Sequence, residues 1–222
     1  MIYLAMTLVV FYTARFLTSR FSHPLANPML LSLLVLIPCL LMLNIPYDTY
    51  FEGNKWIHAM LEPAVVALAY PLYAQLPAIK AQWKLLLTAC LLGSIMAMLT
   101  GAGAAILLGA EPELVAAILP KSVTTPLAMS VTGTLGGDEA ISAIMVMVAG
   151  FFGAIAGYPI LRAMGIDHPV ARGLAIGSVS HALGTARAAQ EHHQDTAMSS
   201  MALVLCGVFT SLLAPIVYHL LV

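Results

Sequence analysis

Six runs of apolar residues, each close to the length that crosses a bilayer, are separated by short clusters that hold nearly all of the charge. They fall at residues 2–19, 29–45, 57–76, 83–109, 141–164 and 196–221. A helix needs about 20 such residues, within a range of about 17 to 25, to span the hydrocarbon core. In lipid every backbone N–H and C=O must find its partner inside the protein, so a chain patterned this way folds as helices. Composition points the same way: 61% of residues are hydrophobic and 9% charged, against about 45–50% and about 25% in soluble domains. The expected fold is an all-α polytopic membrane protein, one transmembrane domain over residues 1–222, with about six spanning helices.

The same features exclude several functions. Net charge is -1 with no basic tract, so no nucleic-acid partner is expected. Cys39, Cys90 and Cys206 lie in apolar runs without ligand spacing and read as small hydrophobes. His192 and His193 stand beside Glu191 and Asp195, but adjacent histidines point apart on a helix, so this reads as solvated loop rather than a metal site. No metal or cofactor is expected. The first run has neither a basic flank nor a cleavage site, so its helix is expected to be retained.

Two further stretches, 112–135 and 169–190, are long enough to enter the membrane but are interrupted in the middle. Pro120-Lys121-Ser122-Val123-Thr124-Thr125-Pro126 breaks the first, and Gly177-Ser178-Val179-Ser180-His181-Ala182-Leu183-Gly184 the second. The segments before and inside them are related. Ile95-Met96-Ala97-Met98-Leu99-Thr100-Gly101 aligns with Ile144-Met145-Val146-Met147-Val148-Ala149-Gly150, and Ser122-Val123-Thr124-Thr125-Pro126-Leu127 with Ser178-Val179-Ser180-His181-Ala182-Leu183. The chain reads as a duplication, with repeat units at about 83–135 and 138–190, each an intact helix followed by a broken one. If each broken segment is a re-entrant hairpin, Arg15, Arg20, Lys80, Lys84, Arg162, Arg172 and Arg187 share one side and Lys55 alone takes the other. Spanning segments would dilute that bias, so the positive-inside rule selects hairpins, with both termini away from the cytoplasm. One net crossing per unit inverts the second unit, which brings two hairpin tips together near the midplane, as in secondary transporters.

The tips carry the candidate chemistry. Lys121 on an apolar hairpin needs a partner or water. With Ser122, Thr124, Thr125 and the helix start marked by Pro126 it suits a small anion; the alternatives are pairing with Glu62 or an acidic loop, or snorkelling. The second tip offers Ser178, Ser180, His181, Thr185 and Arg187. Arg187 can clamp a carboxylate with two hydrogen bonds or lie solvated at the hairpin's end beside Glu191. His181 can relay a proton or be a neutral structural histidine. Glu62, before Pro63, is a possible gate or coupling site, or an interfacial carboxylate. The glycines at 93, 101, 103, 150, 153 and 157 read as close helix packing. A hydrolase using Ser180 and His181 fails geometrically, since adjacent residues seldom present nucleophile and base to each other; no enzyme is expected.

The two tip motifs, the second continuing as Ser180-His181-Ala182-Leu183-Gly184-Thr185-Ala186-Arg187, together with Pro63-Ala64-Val65-Val66-Ala67-Leu68-Ala69-Tyr70-Pro71-Leu72-Tyr73, resemble the LrgB/CidB family over essentially the whole chain, in its enterobacterial branch. Glu62 departs from the uncharged residue, such as Gln, usual there. The resemblance implies a bacterial inner membrane protein with a small LrgA/CidA-type membrane partner. It also implies one of two functions. Relatives such as the plastid glycolate/glycerate translocator imply movement of small monocarboxylates (glycolate, glycerate, pyruvate); the older family label implies holin- or antiholin-like control of murein hydrolases. A homodimer is a further expectation.

Overall fold

The computed structural model describes residues 2–20, 28–60, 63, 66–67, 70, 73, 76–77 and 80–222. Glu62 and much of the expected 57–76 span lie outside them. The described residues are helical, with no strand among them, as the apolar pattern requires. Two compact units divide the chain, Met1–Ala64 and Val65–Val222.

The first unit holds α1 (Ile2–Thr18), α2 (Pro28–Met42) and α3 (Tyr47–Ala59). The apolar helices α1 and α2 pack together, and α1 is pinned to α3 where Thr7 meets Tyr50 (2.7 Å) and Asn54 (3.1 Å). Helix α3 fills the stretch ahead of the expected 57–76 span, to which the sequence reading gave no element, and takes in that span's first residues. Pro46 supplies an extended residue just before the first turn and Asp48 an anion at the positive end of the dipole, so a polar helix forms there.

The second unit holds α4 (Trp83–Leu107), α5 (Pro112–Ile118), α6 (Thr125–Thr134), α7 (Glu139–Ala163), α8 (Pro169–Glu191) and α9 (His193–Leu221). Helices α4, α7 and α9, of 25, 25 and 29 residues, are long and apolar enough to cross a membrane. Asp138 starts α7 by accepting hydrogen bonds from the N–H groups of Ala140 (2.7 Å) and Ile141 (3.1 Å).

Both broken segments return to the end they enter from. In the first, a Cβ at Gly137 would stand 2.9 Å from the Glu113 carbonyl and 2.8 Å from the Ala116 side chain, so the segment's end lies against its beginning. The second is one helix by hydrogen bonding but turns sharply at His181, whose φ of 41° and ψ of -138° are not helical. Its first limb runs parallel to α9, Gly173 facing Asp195 and Met198 while Gly177 faces Ser199 and Ala202. Its second limb doubles back, so that Thr185 meets Ser199 at 2.7 Å and Arg172 and Arg187 stack over the same Tyr158 ring.

The hairpins enter from opposite ends. Val115 and Leu119 of the first pack on Met98, Ala102 and Ala105 late in α4 and on Ala214 and Val217 late in α9. Leu174 of the second packs with Leu86 and Cys90 early in α4 and Met198 and Ala202 early in α9. Every residue of these two clusters is apolar and buried. Their tips meet halfway along α4, where Gly93 faces Ser178 and Gly101 faces Lys121.

Candidate functional site

The first tip runs through Leu119 to Thr124, between the short α5 and the start of α6 at Pro126, whose missing N–H costs nothing in a first turn. Lys121 reaches from it to α4 and donates to the Ala97 carbonyl at 2.8 Å. An ammonium has three donors, and no other hydrogen bond or ion pair of Lys121 occurs among the described residues. Beside it the buried hydroxyls of Ser122 and Thr124 have no hydrogen-bond partner, although burying a hydroxyl unpaired is costly. Thr124 leads into α6 without capping it. A partly free cation, two unpaired hydroxyls and a helix start therefore share one tip.

A cavity of about 870 Å³ opens on this tip. One wall is α4 from Leu85 to Thr100, about 20 Å of helix, and the other is the first limb of α8. Lys121 and Ser122 line it at the tip, Ser178 comes from the opposing hairpin, and His168 stands where α8 begins. Apart from Thr100, whose hydroxyl donates to the Met96 carbonyl of its own helix, its other walls are apolar, so charge recognition in this space rests on the tip.

At the second tip His181 and Ser180 are buried, with 4% and 1% of their surfaces exposed. His181 Nε2 bonds the Val146 carbonyl at 2.8 Å. Its backbone occupies a region dominated by glycine in tight turns, and a non-glycine residue held there costs roughly 1–3 kcal/mol, typical of functional sites. The Ser180 hydroxyl is buried without a partner and is not bonded to His181. Ser178 turns back on the Leu174 carbonyl.

The remaining residues singled out in the sequence lie elsewhere. Thr125 is half-buried in the first turn of α6. Thr185 is satisfied by the His181 carbonyl (3.0 Å) and Ser199. Arg187 is not at the tip: one nitrogen donates to Gln190 and another to Glu191 at 2.5 Å, while Arg162 donates to the same Glu191 carboxylate at 2.6 Å. Of the two readings open from the sequence, this is the one beside Glu191 at the hairpin's end: the fork is committed to side chains of its own hairpin, away from the kink.

Sequence reasoning missed Asp195. The sequence reads as a solvated loop there with His192 and His193, yet α9 begins at His193 and turns Asp195 inward until none of it is exposed. Tyr158 donates to it at 2.9 Å and Arg172 stands 3.2 Å away. The available signal was helical spacing: Asp195, Met198 and Ala202 share a face, and that face meets Gly173 and Gly177. Among the described residues no group of three His, Cys, Asp or Glu is placed to hold a metal.

The family model described as LrgB-like matches residues 7–220. An uncharacterized protein of Haemophilus influenzae is 44% identical over 220 residues, covering 99% of this chain and 95% of that protein. Uncharacterized protein YxaC of Bacillus subtilis is 37% identical over 92% of this chain and 89% of its own. Holin-like protein CidB of Staphylococcus epidermidis is 31% identical over 95% and 92%. No solved structure matches. With its multi-pass helices and a match running almost end to end, the chain belongs to the LrgB-like family of membrane proteins.

Proposed function

We propose that this protein is the larger subunit of a transporter that moves small monocarboxylates, such as glycolate, glycerate or pyruvate, across the bacterial inner membrane. The observation that carries the proposal is Lys121. Its ammonium spends one donor on a backbone carbonyl, faces a cavity of about 870 Å³, and has unpaired hydroxyls beside it. A carboxylate would use the two remaining donors and the Ser122 hydroxyl. Oppositely entering hairpins that meet at mid-membrane are the arrangement on which alternating access operates. Arg162, Arg172 and Arg187 gather at the end where α8 begins, which the positive-inside rule assigns to the cytoplasm, so the cavity is an inward-facing path. A small LrgA/CidA-type partner belongs to this reading, as the family resemblance implies, and a homodimer is compatible with it.

The test is uptake of labelled glycolate, glycerate and pyruvate into proteoliposomes, with and without the small partner. Saturable, competable uptake that Lys121→Ala abolishes in a folded protein supports transport. The second reading, a holin-like modulator of murein hydrolases, draws on the printed names of the staphylococcal relatives. Leakage of large unrelated dyes without saturable carboxylate uptake would replace the first reading with the second.

A further inference from the structure

The two tips are anchored in the same way. Lys121 bonds the carbonyl of Ala97 in α4, and His181 the carbonyl of Val146 in α7. Ala97 and Val146 occupy equivalent positions in the aligned segments, and one turn later each segment has a glycine, Gly101 and Gly150. A helical side chain leans toward the N-terminus and covers the turn before its own Cα, so the residue four places on shields the outer lone pair of a helix carbonyl. A carbonyl has two lone pairs, one used by the helix itself. Without a Cβ at 101 or 150 the second is open.

Distances bear this out. A Cβ at Gly101 would lie 2.8 Å from Lys121 Nζ and 2.9 Å from its Cε, and one at Gly150 would lie 2.5 Å from both Cε1 and Nε2 of His181. Gly103, two residues from Gly101 on the same helix, has nothing within 4 Å of the same added atom. Close packing of α4 therefore accounts for neither glycine: the space at 101 is filled by the lysine, and the space at 103 is empty.

We propose that Gly101 and Gly150 are matched positioning residues, each baring the helix carbonyl one turn before it so that this carbonyl seats the polar side chain of one hairpin tip. At Gly101 the consequence is functional, and there it rests on the transport reading. Seating on Ala97 leaves two ammonium donors turned to the cavity, so Gly101 sets where the anion meets Lys121 without touching it.

Two measurements on the purified full-length protein need no substrate. In the first, an amine-acylating reagent is applied and modification of Lys121 is compared, by peptide mass spectrometry, with that of the exposed Lys55. Gly101→Ala should displace the ammonium into the cavity and raise the Lys121 to Lys55 ratio about tenfold, the size expected for loss of one charged hydrogen bond. Gly103→Ala should leave the ratio unchanged, although both substitutions improve helix propensity equally. In the second, thermal stability is measured for Gly101→Ala with Lys121 present and with Lys121→Ala. The destabilisation should vanish in the double variant, and if Gly101→Ala alone does not fold, the double variant should. Equal labelling in the two glycine variants, or an undiminished penalty when Lys121 is absent, overturns the proposal. In uptake, Gly101→Ala should raise the apparent KM about tenfold with little change in maximal rate. Absence of uptake by the wild type alongside the expected labelling and rescue would refute transport and leave the positioning role standing.

Discussion

Replacing Lys121 by methionine should move folding and function in opposite directions. Methionine keeps the reach and flexibility of the side chain and removes the ammonium. An ammonium at mid-bilayer costs about 2.5–3.5 kcal/mol, and a charged hydrogen bond such as that to Ala97, at 2.8 Å, returns about 1.5–3 kcal/mol. Deleting it strands nothing, because the Ala97 carbonyl keeps its helical partner. The variant should therefore match wild type in stability or exceed it by up to about 2 kcal/mol, the largest difference between those two ranges. A carboxylate in the cavity, however, would lose at least one charge-assisted bond, which lowers apparent affinity about 10- to 150-fold. The assay pairs thermal unfolding in detergent, followed by tryptophan fluorescence, with concentration-dependent uptake in proteoliposomes. A Lys121→Met protein that melts clearly below wild type while transporting normally would refute the argument. It would make the ammonium a structural bolt between the first hairpin and α4.

Other substitutions test the surrounding framework. Asp195→Ala takes a fully buried carboxylate away from the Tyr158 hydroxyl and the partly exposed Arg172 and should cost about 1–3 kcal/mol, whereas Lys55→Ala breaks an exposed pair with Glu52 and should cost less than about 1 kcal/mol. Similar melting shifts for the two would contradict the burial of Asp195. At the second tip, His181→Gly should be more stable than His181→Ala by about 1–3 kcal/mol, reversing the usual helical order, because only glycine accepts the backbone at φ 41° without strain. Alanine proving the better replacement would mean that the kink is absent. Single cysteines at Glu113 and Gly136 should react with an impermeant maleimide from one side of the membrane, and those at Asp167 and Gln194 from the other. Labelling of either pair from both sides would rule out re-entrant hairpins.

Much of the fold was legible because bilayer physics leaves few options. Unbroken apolar runs gave α4, α7 and α9, and the breakers Pro120, Pro126 and Gly177 to Gly184 marked both hairpins. The form of each break was not legible. The first uses six residues and the second a single one, because the strain at His181 is held by its bond to Val146, a contact between residues 35 apart that no local pattern encodes. The inward turn of Asp195 was not legible for a related reason: a polar residue near an expected loop looks solvated whichever way it faces. Asp195 turns inward because Arg172 and Tyr158 meet it there, and Arg187 stays outside the tip because Glu191, four residues on, holds it.

The glycines show what a duplication adds to such an argument. Taken one at a time, Gly101 and Gly150 have the signature of helix packing, and packing is the ordinary explanation for glycine in a membrane helix. Taken as aligned positions, they predict that whatever stands against one has a counterpart against the other. The structure places a lysine at the first and a histidine at the second, each bonded to the carbonyl four residues earlier. The two copies thus share the anchoring of their tips and differ in the group anchored. Lys121 faces the cavity, whereas His181 is enclosed. If alternating access exchanges the environments of the two units, the same exchange would open a path along α7 to His181 and close the one along α4 to Lys121. Cysteines at Ala97 and at its counterpart Val146 report on this directly. With the path along α4 open, the first should react with an aqueous thiol reagent and the second should not, and substrate should shift that ratio toward Val146. A ratio that stays fixed in the presence of a transported carboxylate would show that the units do not trade places.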